Sequence, residues 1–200
     1  MEDRKKTNDS QRIHTRLRKN FNLITNITSI SIVLAIILIV FTSVQFNHSL
    51  KSYGFIQGDI GKAMTVFADS RSALRAVIGY LDAGSISEQQ EIYFDKRDSF
   101  TTYFNSITEQ CNYSEAKKIC DNISSVIDDY WTLSDEIIRQ GATSDVNASN
   151  NAQRLEMNKL TPEYDTIYGY MKQLMDCYVT KGNAYKRQLN IIEFVCIAVI

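Results

Sequence analysis

The most informative segment for the fold is YGFIQGDIGKAMTVFADSRSALRAVIGYLD, which runs from Tyr53 to Asp82. Its apolar and small residues recur at alternating intervals of three and four, which places them on one face of a long α-helix. The members of this stripe are Tyr53, Ile56, Ile60, Ala63, Phe67, Ser70, Leu74, Val77 and Leu81. The stripe predicts a helix that buries one face against neighbouring helices.

Three stretches further along the chain carry helical stripes of the same kind. They are Ile86, Tyr93, Phe100 and Ile107; Ile119, Ile123, Val126, Tyr130, Leu133 and Ile137; and Leu160, Tyr164, Ile167, Met171, Leu174, Tyr178, Lys181 and Tyr185. The first of these repeats every seven residues and the others alternate fours and threes. One proline and eight glycines in 200 residues also favour long helices over a turn-rich β fold.

Short turn-prone segments separate the four stripes. Asp82–Ser85 ends the first, with Ser85 or Ser87 as the expected N-cap of the next helix, and Asn112–Ser114 separates the second from the third. Gly141–Asn151 is the most polar stretch and is expected to be a loop. The pattern predicts an all-α fold, an up-down-up-down four-helix bundle with its two ends at a membrane and its loops pointing away.

The charge distribution predicts a membrane anchor. Residues 1–20 hold seven Lys and Arg, and residues 21–46 have no charged residue at all. Since a bilayer core needs about 20 apolar residues in a helix, we expect a transmembrane helix at 21–46. A cleaved signal peptide fits less well, because the apolar core is longer and a good cleavage site is lacking. The positive-inside rule places the basic tail in the cytoplasm and residues 47–190 outside the cell membrane or in the periplasm.

A second apolar run, IIEFVCIAVI, occupies residues 191–200. Ten helical residues rise only about 15 Å, half of a bilayer. We expect this run to be the start of a second transmembrane helix that is cut off, so that the chain is a fragment or the product of a truncated gene. The first and last helices of the bundle would then be continuous with the two transmembrane helices.

Composition argues against several other classes of protein. The chain has 22 Lys and Arg against 23 Asp and Glu, which leaves no basic excess for a nucleic-acid partner. Two histidines and four scattered cysteines do not suggest a metal site, and His14 and His48 lie on opposite sides of the predicted membrane. No phosphate-binding loop or nucleophile motif is found. We therefore expect no enzyme, no catalytic residues and no cofactor.

The order of these segments resembles the sensor half of a methyl-accepting chemotaxis protein. The stretch Tyr53–Asp82 resembles the first sensor helix of many such receptors, and LTPEYDTIYGYMKQLMDCYVTKGN, Leu160–Asn183, resembles the last. The likeness covers residues 20–200. It implies a homodimeric chemoreceptor in the plasma membrane that binds a small extracellular ligand and moves its last helix relative to its first.

Two other classes of protein remain open at this stage. The sensor half of a histidine kinase or of a cyclic-dinucleotide enzyme can use the same kind of module, and an anchored bundle can act only as a scaffold. The linker, methylated glutamates and kinase-coupling tip of chemoreceptors have no counterpart in the chain. Cytoplasmic kinase-coupling partners would be reached only through the missing C-terminal part.

Two arginines suggest where a small or anionic ligand would bind. Arg71 and Arg75 are four residues apart and share a helix face, as a carboxylate clamp requires. Counting residues outward from the membrane places Thr161, Tyr164 and Asp165 at the same height on the last helix. The resemblance adds that amino-acid-binding receptors use first-helix arginines with a hydroxyl from the fourth helix. The alternative is that the arginines form salt bridges within the protein.

The segment Thr161-Pro162-Glu163 adds to this hypothesis, because threonine followed by proline is typical of a helix start or of a kink. Free amide groups at a helix start would suit an anion. Separately, Cys111 and Cys120 flank the turn between the second and third helices. They could form a disulfide in an oxidising compartment or remain free thiols.

Overall fold

The computed structural model describes the backbone of residues 2–199 and the side chains of residues 14–194 and Ile197. Within residues 2–199 it is 95% helical, without a strand, so the predicted all-α class is confirmed. The elements are α1 Glu2–Ser49, a π-helical turn Leu50–Gly54, α2 Phe55–Gly79, α3 Ala83–Gln110, α4 Ser114–Gly141, α5 Val146–Leu155, a second π-helical turn Glu156–Leu160, and α6 Thr161–Val199.

The chain divides into two compact units. One consists of the chain up to His48 together with the chain from Tyr185 onward, and the other is Ser49–Ala184. In the first unit, the Tyr185 hydroxyl donates a hydrogen bond to the side-chain oxygen of Gln45. The rings of His48 and Tyr185 also lie 5.8 Å apart. These contacts join α1 to α6 within that unit.

Apolar side chains of the first unit are exposed. One helix near the N-terminus is, among the described residues, long and apolar enough to cross a membrane. Its most apolar 18-residue window has a mean hydropathy of 2.7, and none of it is buried. Ile191, Ile192 and Phe194 in α6 are exposed as well, and residues 195, 196 and 198–200 of the second predicted span lie outside the described side chains.

The second unit has a core built from the predicted stripes. In α2, every stripe member from Ile56 to Val77 is buried, and Tyr53 packs against the core. Leu81 is an exception, because α2 ends at Gly79, Tyr80 is extended and Leu81 is 47% exposed. The core therefore follows the sequence pattern up to the point where the helix ends.

An aromatic cluster at mid-height of this core brings the helices together. The ring of Phe67 on α2 is centred 5.1 Å from Phe100 on α3 and 5.0 Å from Tyr130 on α4. It also stacks on Tyr164 of α6, at 4.9 Å and an interplanar angle of 7°. Aromatic pairs of this kind add stability beyond the area that they bury. The cluster places one turn of α2 directly beside the start of α6.

The cap of α3 differs from the sequence prediction. The N-cap is Asp82, whose carboxylate accepts a hydrogen bond from the Ser85 N–H at 2.8 Å, and neither Ser85 nor Ser87 is the cap. This hydrogen bond lowers the pKa of Asp82. Aspartate is as good an N-cap as serine, and a helix can begin at the earlier of two candidate positions.

The predicted loop Gly141–Asn151 is largely helical, so this prediction was wrong. Helix α5 begins at Val146, because Asp145 caps it by accepting the Asn147 N–H at 2.9 Å. Ser149 is buried and its hydroxyl donates to the Ile78 carbonyl at the end of α2. Polar residues that suggested a loop thus form hydrogen bonds with free backbone groups at helix ends.

The turn between α3 and α4 is also placed differently from the prediction. Tyr113 lies in this turn, stacks on Tyr53 at 6.2 Å and donates a hydrogen bond to the Tyr53 hydroxyl at 2.8 Å. The turn is therefore beside the start of α2. The expectation that every loop points away from that end was wrong, because the turn between α3 and α4 lies there.

Candidate functional site

The structure brings the four predicted ligand residues together. Arg71 and Arg75 lie on α2, and Thr161 and Tyr164 lie in the first turn of α6. Arg71 donates from Nη2 to the Thr161 hydroxyl at 2.6 Å, and its Cζ lies 4.1 Å from the centre of the Tyr164 ring. The equal height estimated from residue counts agrees with these contacts.

The centre of this cluster is Glu156, a residue that the sequence analysis did not identify. Its Oε1 accepts hydrogen bonds from Arg71 Nε at 3.1 Å, Arg75 Nε at 2.9 Å and the Thr161 hydroxyl at 3.3 Å. The Glu156 side chain is only 3% exposed. A signal was present in the sequence, because Glu156 lies four residues before Leu160 and so continues the last apolar stripe with a charged residue.

Exposure varies sharply across the cluster, which is named here the arginine site and consists of Arg71, Arg75, Glu156, Thr161 and Tyr164. The Arg71 side chain is 12% exposed, whereas that of Arg75 is 51% exposed. Asp165 is a weak further contact, 4.0 Å from Arg71 Nη1 and 68% exposed. The arginine site is therefore buried at Glu156 and open to solvent at Arg75.

The Tyr164 ring forms a cation–π contact with the Arg71 guanidinium. The ring is held between neighbours, stacking on Phe67 and on Tyr168, the latter at 5.5 Å. Burial raises the pKa of Tyr164, so the phenol is neutral at physiological pH. A guanidinium over a partly desolvated aromatic ring gains up to about 2 kcal/mol from the cation–π interaction. The ring thus fixes the position of Arg71.

Of the two alternatives at Thr161, a helix start or a kink, the structure has an irregularity in a continuing helix and no free helix start. The last helical stretch begins at Val146, and a π-helical turn, Glu156–Leu160, leads directly into α6. The Thr161 N–H is already bonded to the Glu156 carbonyl, five residues back. Pro162 has no N–H to donate, and irregular turns are common where a proline interrupts the helical ladder. No free amide at Thr161 is therefore available for an anion.

A second ion pair lies beside the aromatic core, where Arg97 Cζ is 5.3 Å from the centre of the Trp131 ring. Arg97 Nη1 on α3 donates to both carboxylate oxygens of Asp135 on α4, each at 2.9 Å. The Tyr93 hydroxyl donates to the same carboxylate at 3.3 Å, and burial raises the pKa of Tyr93. This group is internally paired and joins α3 to α4.

A shallow groove of about 600 Å³ runs along α4 beside the start of α6. It is lined by Asp129, Leu133, Lys159 and Glu163, among others. Burial and the negative charge of Asp129 raise the pKa of Glu163. One Glu163 oxygen has no hydrogen-bond partner among the described residues. The groove is lined by side chains of both charge signs and is open to solvent.

The cysteines in the described region are free thiols. Cys111 and Cys120 approach to 3.5 Å between sulfurs, so the predicted pair is adjacent but unbonded. Burial raises the pKa of Cys120 to about 12, which keeps this thiol protonated. The Tyr178 hydroxyl lies 3.5 Å from the Cys111 sulfur. The pair is close enough to be oxidised with a small movement of the turn.

Among the side chains that the structure describes, no group of three or more His, Cys, Asp or Glu is arranged to hold a metal ion. Comparison of the chain with protein-family models, with curated proteins and with solved structures gave no match in any of the three. The assignment of a function therefore rests on the residues of the chain.

Proposed function

We propose that the chain is the sensory module of a transmembrane chemoreceptor. In this proposal the N-terminal tail is cytoplasmic, residues 47–190 are extracytoplasmic, and a small anionic ligand binds at the arginine site of a homodimer. Binding displaces the last helix relative to the first and so carries a signal across the membrane.

One observation carries the proposal. The arginine site ties α2 to the start of α6, and both helices lead along the chain toward apolar segments. A charge change at the arginine site therefore acts on the contact between the two helices that would transmit a signal. An attachment domain with no signalling role would need neither a buried ion pair at this contact nor a second apolar segment.

Further contacts support an up-down-up-down bundle. Gln57, near the start of α2, donates to the Tyr178 carbonyl late in the chain at 3.1 Å. Ser149, on the earlier α5, bonds to Ile78 at the end of α2. With Tyr113 beside Tyr53, these pairings fit helices that alternate in direction. In such a bundle the start of the first helix and the end of the last helix lie at the same end.

A chimeric receptor tests the proposal. Residues 1–190 are joined in frame to the second membrane span and the signalling half of a characterised chemoreceptor. Receptor-coupled kinase activity is then measured in membrane vesicles with a panel of small carboxylates, amino acids and sugars. We expect at least one carboxylate to change kinase activity, and Arg71→Ala to abolish that response.

The matched control is Lys62→Ala, because Lys62 is also a cation on α2 but is 59% exposed and lies outside the arginine site. This variant should respond like the parent chimera. Alkaline phosphatase fusions test the topology, because the enzyme is active only outside the cytoplasm. A fusion after residue 190 should be active, and a fusion after residue 20 should be inactive. An inactive fusion after residue 190, or a kinase-competent chimera that ignores the whole panel, would contradict the proposal.

A further inference from the structure

The hydrogen-bonding capacity of the arginine site is only partly used. Arg75 donates from Nε alone, and within the described part of the chain its two terminal nitrogens have no partner. Glu156 likewise uses one oxygen for all three of its hydrogen bonds. An arginine guanidinium is a five-donor fork that matches a carboxylate bidentately. The geometry therefore leaves half of a carboxylate clamp open on the solvent side.

The charges at the arginine site point to an anion. Two guanidinium groups, which stay protonated in proteins, face one buried carboxylate. Among the described residues, the one other acidic contact is the exposed Asp165, at 4.0 Å. At the open end the positive charge of Arg75 is therefore only partly compensated, because Arg75 shares a single Glu156 oxygen with Arg71. A small anion approaching from solvent meets Arg75 first.

Glu156 belongs to the π-helical turn that precedes the last helix. It is the first residue of the π-helical turn, and its carbonyl accepts the Thr161 N–H that closes this turn. A π-helical turn holds one residue more than an α-helical turn, and such turns are frequent at functional sites. The ion pair thus holds the turn that separates α5 from α6.

We propose that Glu156 is a tethered occupant of a carboxylate-binding site, and that a ligand carboxylate enters at Arg75 and replaces it on Arg71. This inference rests on the proposed function for its physiological meaning. Exchange replaces one carboxylate by another, so the buried guanidinium of Arg71 is never left unpaired. It frees Glu156 and with it the π-helical turn, which is a change in the last helix that a sensor could transmit.

Chemical rescue tests the exchange with acetate as the probe. The Glu156→Ala variant of the full chain is purified in detergent micelles. This substitution removes the tethered carboxylate and leaves space for a free acetate ion. We expect sodium acetate to raise the midpoint of thermal unfolding of this variant by about 2–4 °C more than sodium chloride of equal concentration. Acetamide, which has the same shape and no charge, should have no effect, and wild type should respond much less.

Two controls separate the arginine site from general salt effects. Glu136 forms another Arg–Glu pair, with Arg139, in which the Glu136 side chain is 39% exposed and the Arg139 side chain 71% exposed. Glu136→Ala therefore removes a glutamate from a solvent-exposed pair. Acetate should not rescue this variant. The double variant Arg71→Ala/Glu156→Ala should also lose the rescue, because the buried half of the clamp is gone.

Glu156→Gln provides a second measurement that does not depend on a truncated side chain. Acetate binding, followed by saturation-transfer NMR, should be about tenfold tighter in Glu156→Gln than in wild type, because the tethered competitor is weakened. Equal acetate affinity in these two proteins would overturn the inference. So would rescue of Glu156→Ala by acetamide as well as by acetate.

The acetate measurements need no signalling, so the two proposals can fail separately. If acetate exchange fails while the chimera responds to a ligand, the sensor function survives and its ligand acts without displacing Glu156. If acetate exchange succeeds while the chimera is silent, the carboxylate site stands without the sensor function.

Discussion

At the scale of single residues, Glu156 and Arg71 form a buried ion pair, with side chains 3% and 12% exposed. A charge removed from water is tolerated only when it is paired and hydrogen-bonded. Glu156 meets this condition through Arg71, Arg75 and Thr161. The consequence is an asymmetry between the two arginines, because Arg71 is largely buried and Arg75 is half exposed.

This asymmetry predicts unequal losses of stability. Arg71→Met should lower the free energy of unfolding by about 3 kcal/mol, because it leaves the Glu156 carboxylate buried with only one cation. Arg75→Met should lower it by about 1 kcal/mol or less, since solvent screens an exposed partner. Chemical unfolding of the full chain in detergent, followed by circular dichroism, measures both. Equal losses would mean that the two arginines support Glu156 equally.

Helix contacts at the scale of elements depend on a close approach at Gly141. A Cβ atom placed there would lie 2.5 Å from the Ala152 Cβ and 2.7 Å from the Ile78 Cγ2. The last residue of α4 therefore packs against α5 and the end of α2 without room for a side chain. The same region holds the Ser149 contact to Ile78, so three helices meet there.

Gly141→Val should destabilise the second unit by about 1–3 kcal/mol, because α5 must move away to admit the side chain. Gly79→Ala is the matched control, since a Cβ placed at Gly79 has no atom within 4 Å apart from its chain neighbours and its own helix backbone. That substitution should be neutral or slightly stabilising, as alanine is the better helix former. Thermal unfolding of both variants measures the difference, and a neutral Gly141→Val would mean that α5 is loosely packed.

The whole molecule has two kinds of apolar surface. In Ser49–Ala184 the apolar stripes face one another and are buried, whereas the apolar helix near the N-terminus is exposed along its length. Exposed apolar surface of that extent is not stable in water, and a bilayer is the environment that removes it from water. By its length and composition this helix is able to cross a membrane, and that property does not depend on the arginine site.

Charges placed in the middle of α1 test the anchor. Ile37→Lys and Leu38→Lys together should release much of the protein from membranes, because each lysine at a helix centre costs about 3 kcal/mol on insertion. Carbonate extraction of cell membranes followed by immunoblotting measures the released fraction. Ser49–Ala184 should keep its fold in this double variant. Full retention in the membrane fraction would show that α1 is not the anchor.

Much of the fold could be predicted from the residues because helix formation and amphipathic burial are local. The spacing in Tyr53–Asp82 identified the buried face of α2 from Ile56 to Val77. Capping was predicted less well, since Asp82 and Asp145 each competed with nearby polar residues for the same role. Whether a polar run caps a helix or forms a loop depends on neighbours that are distant in sequence.

The candidate site was predicted in part. Helix periodicity and residue counts placed Arg71, Arg75, Thr161 and Tyr164 close together, as the structure has them. Glu156 and the π-helical turn were not predicted, because they depend on which partner a buried carboxylate finds across 85 residues of chain. The position of the turn at Tyr113 was missed for a similar reason.

Local periodicity, charge and length thus sufficed for the helical class, the buried stripes and the apolar helix near the N-terminus. The tertiary structure was needed to learn that the arginine pair already holds a carboxylate of the protein itself. The physical reason is that a helix stripe is encoded every three or four residues, whereas the pairing of buried charges is decided only when separate helices pack together.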